Sequence, residues 1–256
     1  MTGLNHSSGD AAGATVDPAE IARFSAVAAE WWDPSGKFAP LHKLNPTRLS
    51  YIRDQAGRRF SSDLSIMQPF TGLRLLDIGC GGGLVAEPMT RQGFTVTAID
   101  AAGKSLDIAR AHAAAVGLSI DYRAATAESL ADEGERFDVV LAMEVAEHVA
   151  DLDSFFAAIG RLLRPQGLAV ISTINRTVKS LLLAKIGAEY VLRWVPRGTH
   201  DWKKFLRPSE TAQYCRAAGL DLDDLTGVSF DPLSGAWRLS RDLDINYMLT
   251  VIPAGV

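Results

Sequence analysis

Two stretches of the chain hold residue types whose spacing could do chemistry. In the first, Asp77-Ile78-Gly79-Cys80-Gly81-Gly82-Gly83 follows an apolar run over 73–78 and precedes a helical pattern over 84–92 that Gly93 stops. A second apolar run, 94–99, ends on Asp100. Strand, glycine turn, helix, strand and acidic end describe a nucleotide-binding βαβ half. Gly79 and Gly81 would leave the backbone open to a ligand, and Asp100 would accept hydrogen bonds from ribose hydroxyls. The second stretch, Met143-Glu144-Val145-Ala146-Glu147-His148, follows an apolar run over 138–143. Written as a helix, it puts Glu144, Glu147 and His148 at i, i+3 and i+4 on one face. Two carboxylates and an imidazole suit Mn²⁺ or Zn²⁺, and Mg²⁺ less well, and such an ion would acidify a bound hydroxyl. Equally, His148 can act as a general base while a glutamate holds its tautomer, or Glu147-His148 can cap a helix and do nothing more. The residues alone leave all three readings open.

The ligand class of the glycine turn follows from two positions. A dinucleotide fingerprint needs a third glycine, and Leu84 stands there instead. Asp77, at the end of the first strand, would repel a pyrophosphate but attract a ligand carrying an ammonium and a sulfonium. That is the outline of S-adenosylmethionine. At this point the chain resembles the class I S-adenosylmethionine-dependent methyltransferases, which hold adenine at the loop where Ala127-Glu128-Ser129 stands. A dinucleotide-dependent oxidoreductase and a non-catalytic cofactor-binding scaffold are the competing classes.

The elements that must position these residues alternate regularly. Helical segments over 104–116 and 151–164 separate apolar runs over 120–122, 138–143 and 168–174, the pattern of a doubly wound parallel α/β sheet. Runs over 225–230 and 236–240 read as a closing hairpin. Upstream, Asp17-Pro18-Ala19-Glu20 opens a helix that closes at Trp31-Trp32. Phe38, Pro40, Leu41 and His42 read as loop, and Asn45-Pro46 opens a helix carrying Arg48. Residues 1–16 read as a disordered tail, 17–70 as N-terminal cap helices, and 17–256 as a single domain. His6, His42 and His112 show nothing beyond surface placement.

The 256 residues are 47% hydrophobic and 22% charged, ordinary for a globular domain, and a net charge of −4 argues against a general nucleic-acid binder. Two cysteines, Cys80 and Cys215, make no disulfide framework and fit a reducing compartment. No apolar run approaches the roughly 18 residues a membrane span needs. One segment breaks the pattern: 175–207 is longer than a normal loop and sets Arg176, Lys179, Lys185, Arg193, Arg197, Lys203 and Lys204 among leucines, Tyr190 and Trp194. A basic amphipathic stretch in an acidic protein suits a lid over a greasy substrate and an anionic membrane surface; packing on the sheet is the plainer alternative. His200-Asp201 is a second candidate pair there.

Several blocks outside the glycine turn carry a narrower resemblance: Trp31-Trp32-Asp33, Phe38-x-Pro40-Leu41-His42, Asn45-Pro46-x-Arg48, Ser172-Thr173-Ile174-Asn175-Arg176-Thr177 and Asp244-x-Asn246-Tyr247-Met248. Together with the two chemical stretches and the 175–207 segment, they look like the ubiquinone-biosynthesis O-methyltransferase family. That resemblance implies a seven-stranded sheet with the last strand reversed. It implies methyl transfer from S-adenosylmethionine to phenolic hydroxyls of a polyprenyl catechol and of demethylubiquinol. It also implies cofactor contacts at Arg48, Gly79, Asp100 and Met143, with Arg48 pairing the methionine carboxylate. The metal ligands that mitochondrial relatives suggest fall on Glu144, Glu147 and His148. A lipophilic polyprenyl substrate, other ubiquinone-biosynthesis proteins as partners, and a cytoplasmic location, peripheral on the inner membrane, complete the expectation.

Overall fold

The computed structural model describes residues 21, 22, 25, 28–181, 202–231 and 233–255. The tail expected over 1–16, most of the helix expected from Asp17, and positions 182–201 with their His200-Asp201 pair lie outside them. Helix α1 spans Ala39–Phe60 and starts earlier than Asn45-Pro46: Pro40 occupies its first turn, where a missing N–H costs nothing, and Pro46 lies within it. Pro40, Leu41 and His42 are therefore helical, and the helix ends on Ser61 in the left-handed conformation.

The expected alternation then follows: β1 (Arg74–Ile78), α2 (Ala86–Arg91), β2 (Thr95–Asp100), α3 (Gly103–Ala115), β3 (Asp121–Ala124), α4 (Ala127–Asp132), β4 (Phe137–Met143), α5 (Leu152–Leu162) and β5 (Leu163–Ile174). After a helical turn at Val178–Ser180 come α6 (Pro208–Ala217), β6 (Leu220–Asp231), β7 (Ala236–Ser240) and β8 (Asn246–Pro253). Their order in one sheet is β3-β2-β1-β4-β5-β8-β6-β7. β1 to β5 pair in parallel, and β8 runs antiparallel to both β5 and β6. The reversed last strand is as expected. The sheet has eight strands rather than seven, because the β6–β7 hairpin adds β7 at the edge.

Alternate side chains of the central strands feed two cores. Leu75, Val139 and Leu141 pack with Met89 and Leu106 on one face. Leu76, Val140 and Ala142 pack with Phe156 and Ile159 on the other. Burial on both faces explains why these strands read as unbroken apolar runs.

The strand order reverses between β1 and β4, and a crevice opens beyond their carboxyl ends. Asp77, Asp100 and the segment after Met143 all arrive there. α1 is fastened by Thr47 Oγ1 donating to the Trp237 carbonyl at 2.9 Å, and by Tyr51 Oη and Gln55 Nε2 donating to Asp224 Oδ2 at 2.7 and 3.2 Å. This anchorage carries Arg48 into the crevice.

Candidate active site

The glycine turn begins with the N–H groups of Gly79 and Cys80 both donating to the Ile99 carbonyl, at 2.8 and 3.0 Å, which ties the end of β1 to the end of β2. Gly79, Gly81 and Gly83 have positive φ, a conformation that favours glycine. Bareness has a second cause that the sequence did not reveal. A Cβ on Gly81 would strike the Trp31 ring, a Cβ on Gly82 would sit 2.5 Å from Trp31 Cβ, and one on Gly79 would sit 2.6 Å from Val145 Cγ2. The turn is bare partly because a tryptophan lies on it.

Trp31 is buried, stacks on Phe38 at 3.7 Å and donates from Nε1 to Ser105 Oγ at 3.2 Å. Trp32 Nε1 donates to the Gly82 carbonyl at 3.0 Å, and its ring stacks on His112 at 3.5 Å. His112 Nδ1 in turn donates to Glu87 Oε1 at 2.6 Å, and His42 Nε2 donates to the Trp31 carbonyl at 2.9 Å. His42 and His112, expected at the surface without a task, thus hold the tryptophan pair in place. Only the adjacency of the two tryptophans hinted at this in the sequence.

Two carboxylates flank the turn. Asp100 Oδ2 accepts from Gly81 N–H at 2.9 Å and Oδ1 from Ala102 N–H at 2.7 Å, and burial raises its pKa against those two donors. Each oxygen keeps a lone pair for a ribose hydroxyl. Asp77 is buried, and its pKa is pushed up to about 7 by desolvation and the Asp100 charge, partly opposed by Arg48. Its Oδ2 has no hydrogen-bond partner. Cys80, between the glycines, is buried with its thiol held well above the usual range, so it is a spacer rather than a nucleophile.

The segment after β4 departs from the expected helix. Glu144 has φ +57°, and the only helical turn is a short 3-10 piece at Ala146–His148. Glu144, Glu147 and His148 therefore do not share a helical face. Glu144 Oε1 accepts from Ser172 Oγ at 2.8 Å and lies 3.0 Å from Arg48 Nη2. Glu147 is buried, accepts from Thr173 Oγ1 at 2.8 Å, and has its pKa pushed up to about 7 by desolvation and by Glu144, with His148 opposing. His148 is half-buried. Among the described residues, no three His, Cys, Asp or Glu side chains gather as a ligand set. The arrangement thus does not fit the expected divalent metal.

The remaining candidates sit where the topology puts them. Met143 ends β4, is buried and pairs in register with Ser172. Ala127 and Glu128 lie in the first turn of α4, a helix rather than a loop, capped by Thr126 and Ser129, and Glu128 Oε1 is buried without a partner. Arg48 is 5% exposed, and its Nε and Nη2 lack hydrogen-bond partners because the Glu144 contact is close but poorly aligned. A buried guanidinium with two nitrogens lacking aligned hydrogen bonds, an orphan Asp77 oxygen and Asp100 with lone pairs to spare could together hold a sugar bearing a cationic amino acid with its carboxylate.

A family model described as a methyltransferase domain matches residues 46–225. Ubiquinone biosynthesis O-methyltransferases from Caulobacter sp. (strain K31) and Azorhizobium caulinodans are 60% and 53% identical, over 93% and 95% of this chain and 94% and 96% of theirs. Among solved structures, a magnesium protoporphyrin IX methyltransferase from Synechocystis PCC 6803 with bound S-adenosylhomocysteine superposes with a TM-score of 0.62 at 16% identity, over 92% of this chain and 94% of its own. An S-adenosylmethionine-dependent methyltransferase from Clostridium acetobutylicum gives 0.61 at 11% identity, over 91% and 99%. These two establish the fold, and the curated relatives establish the family: the chain belongs to the ubiquinone biosynthesis O-methyltransferases, S-adenosylmethionine-dependent enzymes of class I methyltransferase fold.

Proposed function

We propose that the chain methylates a phenolic oxygen on two polyprenylated acceptors, a catechol and a demethylubiquinol. The observation that carries the cofactor half of this reading is the charge pattern of the crevice, an under-partnered buried Arg48 on one side and buried Asp77 and Asp100 on the other. Arg48 takes the methionine carboxylate, Asp77 attracts the cationic pole, and Asp100 accepts from the ribose. Met143 lies beside the cofactor, and Ala127 and Glu128 border the adenine. S-adenosylmethionine, when bound, supplies the methyl group on its sulfonium.

The chain's own work is alignment, proton removal and exclusion of water. His148 receives the phenol proton, and the buried Glu147 carboxyl beside it stabilises the imidazolium that results. Glu144, whose charge acts on the Glu147 carboxyl, is the third member of this group, and it lines a cleft with Ser172 and Arg48. The 175–207 insertion, whose described ends are held by the Arg176–Glu210 ion pair and by Trp202 Nε1 donating to the Thr177 carbonyl at 3.0 Å, covers the isoprenoid tail and meets anionic lipid on the cytoplasmic face of the inner membrane. Among the described residues no helix is long and apolar enough to cross a membrane.

Radiolabelled methyl transfer to a short-chain prenyl catechol tests the reading. Transfer is expected, and His148→Ala should reduce it by about a hundredfold or more. Absence of transfer to any catechol, with S-adenosylmethionine bound, would overturn it.

A further inference from the structure

Two non-glycine residues among those described have positive φ. Ser61 is explained by its place at the end of α1. Glu144 closes no helix, so its conformation must be held by its surroundings. Its N–H donates to the Ser172 carbonyl at 3.0 Å and lies 3.2 Å from Ser172 Oγ, and that same hydroxyl donates back to Oε1. One serine therefore grips both the backbone and the side chain of Glu144. The carboxylate is delivered to Arg48, whose side chain is 6% exposed.

The pair is a poor one. Nη2 stands 3.0 Å from Oε1, yet neither Nη2 nor Nε makes an aligned hydrogen bond. A guanidinium fork is best served by a carboxylate meeting it edge-on, and Glu144 neutralises the charge without doing that. Arg48, Glu144 and Ser172 line one cleft with Asn246 and the apolar Val228 and Met248.

We propose that Glu144 is a displaceable counter-carboxylate for Arg48 that couples cofactor binding to acceptor binding. This rests on the reading of Arg48 as the site of the methionine carboxylate. Two carboxylates then claim one buried cation. When the cofactor's carboxylate takes the fork, Glu144, still held by Ser172, turns to the acceptor side of the cleft and accepts a hydrogen bond from a phenolic hydroxyl. The acceptor thus meets a free Glu144 only after the cofactor is in place, and linkage requires each ligand to tighten the other equally.

Calorimetry on the full chain separates the possibilities, using S-adenosylhomocysteine and 5′-methylthioadenosine, which keeps the adenosine and thioether but lacks the carboxylate. Glu144→Gln should bind S-adenosylhomocysteine about tenfold tighter, because the competitor has lost its charge, and methylthioadenosine unchanged. Glu144→Asp, one methylene shorter and easier in left-handed backbone, should do the same, and it decides the matter if the glutamine variant does not fold. Saturating S-adenosylhomocysteine should tighten a short-chain prenyl catechol in the parent and not in Glu144→Gln. Unchanged or weaker S-adenosylhomocysteine binding in a folded variant overturns the proposal. Arg48→Gln shows which claim has failed. If it weakens S-adenosylhomocysteine but not methylthioadenosine, the Arg48 reading stands and only the role of Glu144 falls; if it weakens neither, both fall.

Discussion

Asp77 is legible as chemistry because a carboxylate at the end of a strand, just before glycines, has few structural uses. Its burial adds an energetic consequence. Its ordinary value is 3.8 and the fold raises it to about 7, with Asp100 and Arg48 as the charges it faces. Between those values the folded chain keeps a proton that the unfolded chain has released. Stability present below about pH 4 is therefore lost as pH rises through about 7. Asp77→Asn should raise the Tm of the cofactor-free chain at pH 8, by the equivalent of up to about 4 kcal/mol, with the gain fading by pH 4. In the proposed reading the same carboxylate attracts the cofactor's cationic pole, and the variant should then bind S-adenosylmethionine more weakly; thermal melts across pH and calorimetry read the two opposed effects. Asp100→Ala should cost at least about tenfold in cofactor affinity, since it removes the proposed ribose acceptor and also frees Gly81 and Ala102 N–H. Unchanged calorimetric affinity would undo the ribose assignment.

Between elements, the decisive contact is the tryptophan pair lying on the glycine turn. The strand–turn–helix–strand order was readable because both strands are buried on two faces and the turn is all small residues. The partner of the turn was not readable. Trp31 and Gly82 are far apart in the chain, and no local pattern reports that an indole will occupy the space over a glycine. For the same reason the start of α1 was misplaced: Pro46 reads as a start signal, yet the helix forms from Ala39, directly after Phe38 stacks on Trp31. Trp31→Ala should destabilise the chain by about 3–5 kcal/mol, since it empties a buried ring site and loses the hydrogen bond to Ser105. Chemical denaturation measures this. A loss within error of zero would mean the cap does not contribute to folding.

Across the whole molecule, charge and shape divide the labour. The chain is acidic overall, while 175–207 is basic and apolar, and its described ends are clamped beside the end of β5, where Lys179 Nζ also lies 2.9 Å from Asp244 Oδ2. In the proposed reading this basic, apolar stretch of sequence lets a long-tailed substrate enter from a bilayer. The protein should co-sediment with vesicles containing anionic lipid and less so as salt rises past about 0.15 M, where surface charges are screened beyond about 8 Å. Binding unaltered by deletion of 182–201 would assign the membrane contact elsewhere.

By itself the sequence determined the α/β class, the glycine turn and the two carboxylates beside it, because burial on two faces, bare turns and strand-end acids each leave a local signature. Periodicity failed at Glu144, where a presumed helix became a left-handed residue and a short turn. Only tertiary packing decided that Glu144 faces Arg48, that Ser172 holds it there, and that His42 and His112 brace the tryptophan pair. Those outcomes depend on distant residues competing for one buried charge or one vacant space, and such competition is settled only when the strands are side by side.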